Sequence, residues 1–225
     1  MTPEELRALS SIAYARSVRE NTPPRFRGGL NSLLAAAPRL AGEISKARAW
    51  VEAFERRSGR ALYLYGPKGT GKTGIGYGVC LEVAARLNFV EMSSFPELLR
   101  RIRASYGIGA LENENDIIRD CQDTDLLFLD DLGAANLTAH AADVLYAVLD
   151  HRYGEKKPVL LTSDMGLKAL QSELARPKST AQDGTASRAQ SERICSRIAE
   201  MIADPGDVIQ FKGRDLRIAK PKGEG

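Results

Sequence analysis

The sequence has no long hydrophobic run, and none of its apolar stretches approaches the ~20 residues that a membrane-spanning helix needs. Its first ten residues, MTPEELRALS, carry two acidic side chains and no apolar core, so we expect no signal peptide. Excess charge is also small: 32 Lys and Arg oppose 29 Asp and Glu, which gives a formal net charge of +3. A nucleic-acid partner would therefore have to be held by a local basic patch.

Cysteine is scarce as well. Cys80, Cys121 and Cys195 are scattered along the chain, with no CxxC and no Cys/His spacing of the kind that binds zinc. This pattern predicts a reduced, cytoplasmic protein with neither a disulfide framework nor a structural zinc site. We find no internal repeat. With 225 residues, 43% of them hydrophobic, the chain suits one α/β domain with a short appendage.

Short apolar runs alternate with helical patterns after residue 60. The runs are ALYLY (61–65), FVEM (89–92), DLLFLD (125–130) and PVLLT (158–162). This alternation predicts a parallel sheet with helices on both faces. Before it, we expect one helix from Thr2, which would cap it, to about Glu20, and a second over 43–57. The polar stretch 175–192 predicts a mobile surface loop.

One motif carries specific chemistry. GPKGTGKT follows the first apolar run, precedes a helical pattern and fits GxxxxGK[ST] in full. Its glycines would let backbone N–H groups surround phosphates, while Lys72 reaches the β/γ oxygens and the Thr73 hydroxyl holds Mg²⁺. A Gly-rich turn that binds nothing is the alternative. The predicted ATP-binding residues are Gly66, Pro67, Lys68, Gly69, Thr70, Gly71, Lys72 and Thr73.

A pair of acids, Asp130 and Asp131, ends the third apolar run. At the carboxyl edge of a parallel sheet, Asp130 would hold Mg²⁺ through water. Asp131 would orient or deprotonate the attacking water. Asp-Asp-Leu-Gly is also compatible with a simple turn, but its place downstream of the phosphate motif favours an ATPase.

The order of motifs resembles the DnaC/DnaI/IstB branch of AAA+ ATPases, which are replicative helicase loaders and transposase helpers. The motifs are PPRFRG, LYLYGPKGTGKT, DLLFLDDLG, LDHRYGEKKPVLLTSD, RICSRI and GRDLR. The resemblance implies an AAA+ P-loop domain, a parallel sheet flanked by helices, over residues 22–218. A short N-terminal helical extension, 1–21, would dock a partner, and 219–225 would form a flexible tail.

The resemblance also implies roles for three residues. Asp164 occupies the sensor I position, where loaders usually carry Asn, so its charge is a departure. Arg197 matches the arginine finger, which reaches the γ-phosphate held by a neighbouring subunit, and Arg217 matches sensor II. From spacing alone, Arg193 and Arg197 share a helix face, and without the resemblance a solvated basic face is the favoured explanation.

The helix PELLRRIRASYG predicts a nucleic-acid surface. Its apolar residues would face inward, leaving Arg100, Arg101 and Arg103 outside with Tyr106 at the end. Arginines can follow a phosphate backbone, and a tyrosine can stack on a base without reading sequence. The bland alternative is an amphipathic helix with a solvated basic face.

Three functions remain open at this stage. The first is an ATP-dependent loader of a hexameric replicative helicase onto single-stranded DNA, with ATP and Mg²⁺ bound between self-associated subunits. The second is a transposase helper, and the third a nucleotide-gated adaptor with little hydrolysis. The 22 residues before PPRFRG are much shorter than a full helicase-binding domain, which weakens the first; an amphipathic helix can still dock in a groove.

Overall fold

The computed structural model describes residues 3–133, 138–175, 187–213 and 215–216, with side chains from residue 12 onward. The helices are α1 Pro3–Asn21, α2 Gly29–Ala36, α3 Ala41–Glu52, α4 Lys72–Ala85, α5 Phe95–Ala104, α6 Glu114–Asp123, α7 Ala139–Gly154, α8 Leu167–Leu174 and α9 Arg188–Met201. The strands are β1 Ala61–Tyr65, β2 Val90–Ser94, β3 Leu126–Leu132, β4 Val159–Ser163 and β5 Val208–Gln210. Among the described helices, none combines the length and the apolar character needed to cross a membrane.

The five strands form one sheet in the order β2-β3-β4-β1-β5, and every neighbouring pair is parallel. The carboxyl ends of β3, β4 and β1 therefore lie side by side at one edge. All four predicted strands are present, and the predicted fold, an AAA+ P-loop domain with a parallel sheet flanked by helices, is confirmed. Strand β5 was missed because three residues are too short to show a period.

Helices cover both faces of the sheet. Leu62 and Leu64 of β1 pack into the core formed with α1 to α4, whereas Ala61 and Tyr63 pack into the core formed with α5 to α9. Because both faces are buried, the strand reads as an unbroken apolar run instead of an alternation.

Two sequence expectations need correction. The second predicted helix ends at Glu52, not near residue 57. The predicted loop 175–192 ends earlier than expected, because α9 begins at Arg188. There the Ser187 side chain accepts from Gln190 N and the Gln190 side chain accepts from Ser187 N, a capping box that starts the helix. Residues 176–186 of that loop, and the predicted cap Thr2, lie outside the described residues.

The second half of α1 packs against the rest of the domain. The Tyr14 hydroxyl accepts from Val90 N at 2.7 Å and donates to Val90 O at 3.2 Å. Val90 opens β2, an edge strand of the sheet, so one tyrosine satisfies two backbone groups that face away from the neighbouring strand. One turn later, Val18 is buried in the core shared with α4.

Candidate nucleotide-binding site

The side chain of Lys72 is buried within the loop that joins β1 to α4. Its Nζ donates to Gly66 O at 2.6 Å, to Pro67 O at 2.9 Å and to Asp164 Oδ1 at 3.0 Å. The other carboxylate oxygen of Asp164 lies 3.5 Å from Lys68 Nζ. The structure thus brings three predicted site residues, from the loop after β1 and the end of β4, into one charged cluster. A bound phosphate would replace these acceptors as the hydrogen-bond partner of Lys72 Nζ.

Two glycines of this loop allow the C-terminal segment to pack on it. Gly66 and Gly69 have φ values of +142° and +73°. A Cβ on Gly66 would lie 2.3 Å from Phe211 O, and one on Gly69 would lie 1.9 Å from Asp215 Oδ1. Leu216 N also donates to Gly69 O at 2.8 Å. These glycines therefore serve chain packing as well as phosphate access.

The two acids at the end of β3 are directed differently by an irregularity in the sheet. The register of β3 against β4 shifts across Asp130 and Asp131, and Asp131 adopts a left-handed φ of +65°. Asp130 accepts from Thr73 Oγ1 at 3.0 Å and from Thr162 Oγ1 at 2.5 Å, whereas Asp131 N donates to Thr162 Oγ1 at 2.9 Å. Thr162 thus holds both residues, and a bulge of this kind is a common way to re-aim a side chain.

The Thr73 hydroxyl and the Asp130 carboxylate are hard oxygen donors within 3.0 Å of each other. That donor set fits Mg²⁺, which binds few protein oxygens and completes its shell with water and phosphate. Sequence reasoning named both residues but missed Thr162, which donates to Asp130 from the neighbouring strand. Its only sequence signal is its place near the end of an apolar run.

The surroundings of Asp131 disfavour its charged form. Burial raises the pKa of Asp131, and the negative charges of Asp164 and Asp130 raise it further, against opposing effects of Lys68 and Lys72. A carboxyl group with a raised pKa is a stronger base, and groups shifted in this way are common in active sites.

A cavity of about 230 Å³ adjoins the phosphate loop. It is lined by loop and helix residues 69–74 together with Arg25, Phe26, Leu33 and Leu216. The Phe26 ring stacks on Tyr77 with centroids 4.9 Å apart, and the Arg25 guanidinium lies 4.5 Å above Phe26. The N-cap of α4 is Gly71, which has no side chain, so the first-turn N–H groups stay available to an anion. Sequence reasoning missed this wall, because PPRFRG lies some forty residues before the phosphate motif.

The two arginines assigned by resemblance have different outcomes. Arg197 lies on α9, where it contacts Asp150, Glu200 and the ring of Tyr153, all outside the phosphate loop. Arg217 lies outside the described residues. Both roles stay predictions.

The basic helix α5 is less uniform than expected. It ends at Ala104, so Tyr106 lies in the following turn. Arg100 pairs with Glu97, and the Tyr106 hydroxyl, whose ring stays exposed, donates to Glu114 Oε2 at 2.6 Å. Arg103 is exposed and has no ion pair within the described part of the chain. Arg101, the remaining arginine of the helix, forms ion pairs with Glu91, Glu112 and Asp120, so its charge is neutralised within the domain.

Comparison with known proteins agrees with this geometry. A family model described as IstB-like ATP binding protein matches residues 47–194. The replicative helicase loader DnaI of Bacillus subtilis (strain 168) is 29% identical over 150 residues, which are 66% of this chain and 46% of DnaI. An ATP-binding protein of insertion sequence IS1162 from Pseudomonas fluorescens is 28% identical over 161 residues, 70% of this chain and 62% of that protein.

The similarity extends to three dimensions. A crystal structure of DnaI is similar with a TM-score of 0.60 at 25% sequence identity, over 79% of this chain and 84% of that one. The chain spans about half the length of the curated loaders that it matches, 46% of DnaI and 51% of DnaC from Escherichia coli (strain K12).

Proposed function

The chain belongs to the IstB-like ATP binding protein family of AAA+ ATPases, and we propose that it loads a hexameric replicative helicase onto single-stranded DNA. The observation that carries the proposal is the likeness to DnaI, which holds in sequence over 66% of the chain and in structure over 79%. ATP would bind at the loop 66–73, between self-associated subunits, and its hydrolysis would be slow until assembly or DNA stimulates it.

The site geometry supports a division of labour among the residues that contact one another. Lys72 would bind phosphate oxygens in exchange for its contact with Asp164. Thr73 and Asp130 would hold Mg²⁺, which supplies positive charge beside the transferred phosphoryl group. Asp131, whose pKa is raised, would accept a proton from water. Arg197 and Arg217 would add guanidinium groups, which stay charged and can bind two phosphate oxygens at once.

We retain the domain boundaries as part of the proposal: 1–21 as a partner-docking helix, 22–218 as the ATPase domain and 219–225 as a tail. The contacts of Tyr14 and Val18 anchor the second half of α1. Docking would then use other faces of the helix, such as the one carrying Ile12, which is 64% exposed. We also retain Arg100, Arg103 and Tyr106 as the surface that contacts single-stranded DNA.

A second candidate is an ATPase that assists a transposase. It is favoured by the family description and by the IS1162 relative, which covers more of this chain than DnaI does. The two candidates differ in the macromolecule bound and in the form of DNA, so one set of binding assays separates them.

The test uses the purified replicative helicase of the source organism, and a transposase encoded beside the gene if there is one. A loader should capture the helicase more strongly with ATP, should favour single-stranded over duplex DNA, and should lose the ATP effect in Lys72→Ala. Capture of the transposase together with a duplex preference would move the conclusion to the second candidate. ATP-dependent binding with no measurable turnover would indicate a nucleotide-gated adaptor.

A further inference from the structure

One face of α7 carries Tyr146, Asp150 and Tyr153, spaced four and three residues apart as neighbours on a helix are. This face is opposite α9, with which α7 packs. Two arginines of α9 lie on it, because the Arg193 guanidinium is 5.0 Å from the centre of the Tyr146 ring and that of Arg197 is 4.8 Å from Tyr153.

Among the described residues, carboxylates also hold Arg197 but not Arg193. Its Nε donates to Asp150 Oδ1 at 2.6 Å, and its Nη1 donates to Glu200 Oε2 at 2.8 Å. The two acids are not equivalent. Asp150 comes from the neighbouring helix, whereas Glu200 lies three residues along the same helix, and both carboxylates are partly exposed.

We infer that Asp150 positions Arg197 for the nucleotide of a neighbouring subunit. The inference rests on the proposed function, in which Arg197 acts across the subunit boundary. Asp150 binds Nε, the nitrogen nearest the backbone, so a phosphate has to replace only Glu200 at Nη1 to reach the terminal end of the guanidinium. With the Tyr153 ring against its plane, the side chain is ordered before assembly, and less conformational entropy is lost when it meets the phosphate.

The competing explanation is that the Asp150–Arg197 pair is a structural brace: it stabilises the packing of α7 on α9 and has no part in turnover. Mixed assemblies separate the two. An Arg197→Ala subunit can bind ATP but lacks the finger, and a Lys72→Ala subunit keeps the finger but lacks its own nucleotide, so together they should recover turnover at their shared boundary. Asp150→Asn, which removes the charge and keeps the shape, is then placed in either subunit.

We expect Asp150→Asn in the Lys72→Ala finger donor to lower the recovered turnover by about tenfold, by analogy with the lower end of the loss when a metal ligand loses its orienting partner. The same change in the Arg197→Ala acceptor should have no effect. Urea unfolding of each variant checks the fold. Glu192→Gln is the matched control, because it removes a carboxylate of α9 that pairs with a different arginine, Arg188.

Full recovery with the Asp150→Asn donor would overturn the inference. Equal losses from donor and acceptor placements would also overturn it, since a brace acts in whichever subunit carries it. If co-assembled Lys72→Ala and Arg197→Ala subunits recover nothing before Asp150 is changed, the action across subunits itself is wrong, and the inference falls together with that part of the proposed function.

Discussion

Arg152 is the largest fully buried side chain of the described structure, and replacing it with methionine should destabilise the fold. Its guanidinium donates to five backbone carbonyl oxygens between the end of α6 and the start of β4. They belong to Cys121, Gln122, Thr124, Asp125 and Pro158. Burial lowers the pKa of Arg152 to about 9, which still leaves it charged at neutral pH.

Two effects of Arg152→Met oppose each other. Removing the side chain leaves five carbonyls without this donor, and at ~1 kcal/mol each, the lower end for an unsatisfied buried group, the loss is ~5 kcal/mol. The lost charge at the C-terminal end of α6 adds up to ~1 kcal/mol. In the opposite direction, methionine removes the desolvation penalty of a buried charge, which stabilises the variant by several kcal/mol. We therefore expect Arg152→Met to lower the free energy of unfolding by about 3 kcal/mol, a large share of the ~5–15 kcal/mol of a typical domain.

The assay is urea unfolding at neutral pH, followed by circular dichroism. With a slope of ~2 kcal/mol per molar urea, a loss of ~3 kcal/mol lowers the midpoint by about 1.5 M. The unfolding midpoint of Arg152→Lys should lie between those of wild type and Arg152→Met, because an ammonium keeps the charge but has only three donors. Arg119→Met is the control for the same chemical change at an exposed position of α6, and should stay within about 0.5 kcal/mol of wild type. An Arg152→Met midpoint close to that of the control would refute the reasoning.

Three further outcomes follow from the described contacts. Because the charge of Asp164 helps to raise the pKa of Asp131, turnover should fall with falling pH as Asp131 takes up a proton, and Asp164→Asn should move this acid limb to lower pH; an unmoved limb in the pH profile contradicts the coupling. Tyr106→Ala should weaken binding to a labelled single-stranded oligonucleotide by about 1–3 kcal/mol while Tyr106→Phe, which keeps the ring, does not. Arg103→Ala should lower the salt slope of the same binding by ~0.7, and equal binding by all of these variants would leave α5 a solvated face. Tyr14→Phe should lower the free energy of unfolding by about 1–2 kcal/mol, measured in urea, since two backbone groups of β2 lose their partner; no change would mean that α1 is not anchored there.

The fold and the phosphate side of the site could be predicted because their signals are local. Lys72 and Thr73 belong to one contiguous motif after β1, and Asp130 ends an apolar run, so all three lie at the same carboxyl edge of the parallel sheet. The orienting residue Thr162 and the cavity wall at Phe26 carry no such signal. Each acts through contacts with residues far away in the chain, and a hydroxyl or a ring at the end of an element is common without any function.

The arginines show where sequence periodicity stops being informative. The run RRIR in α5 predicts three outward charges, yet Arg101 turns to three carboxylates of other elements while Arg103 stays unpaired within the described residues. The motif HRY contributes a buried arginine, Arg152, whose guanidinium donates to backbone carbonyls between α6 and β4. Helical spacing determines the face from which a side chain starts. A long, flexible side chain ends where the acids, rings and carbonyls of the packed neighbours direct it, as the contacts of Arg197 with Asp150 and Tyr153 show.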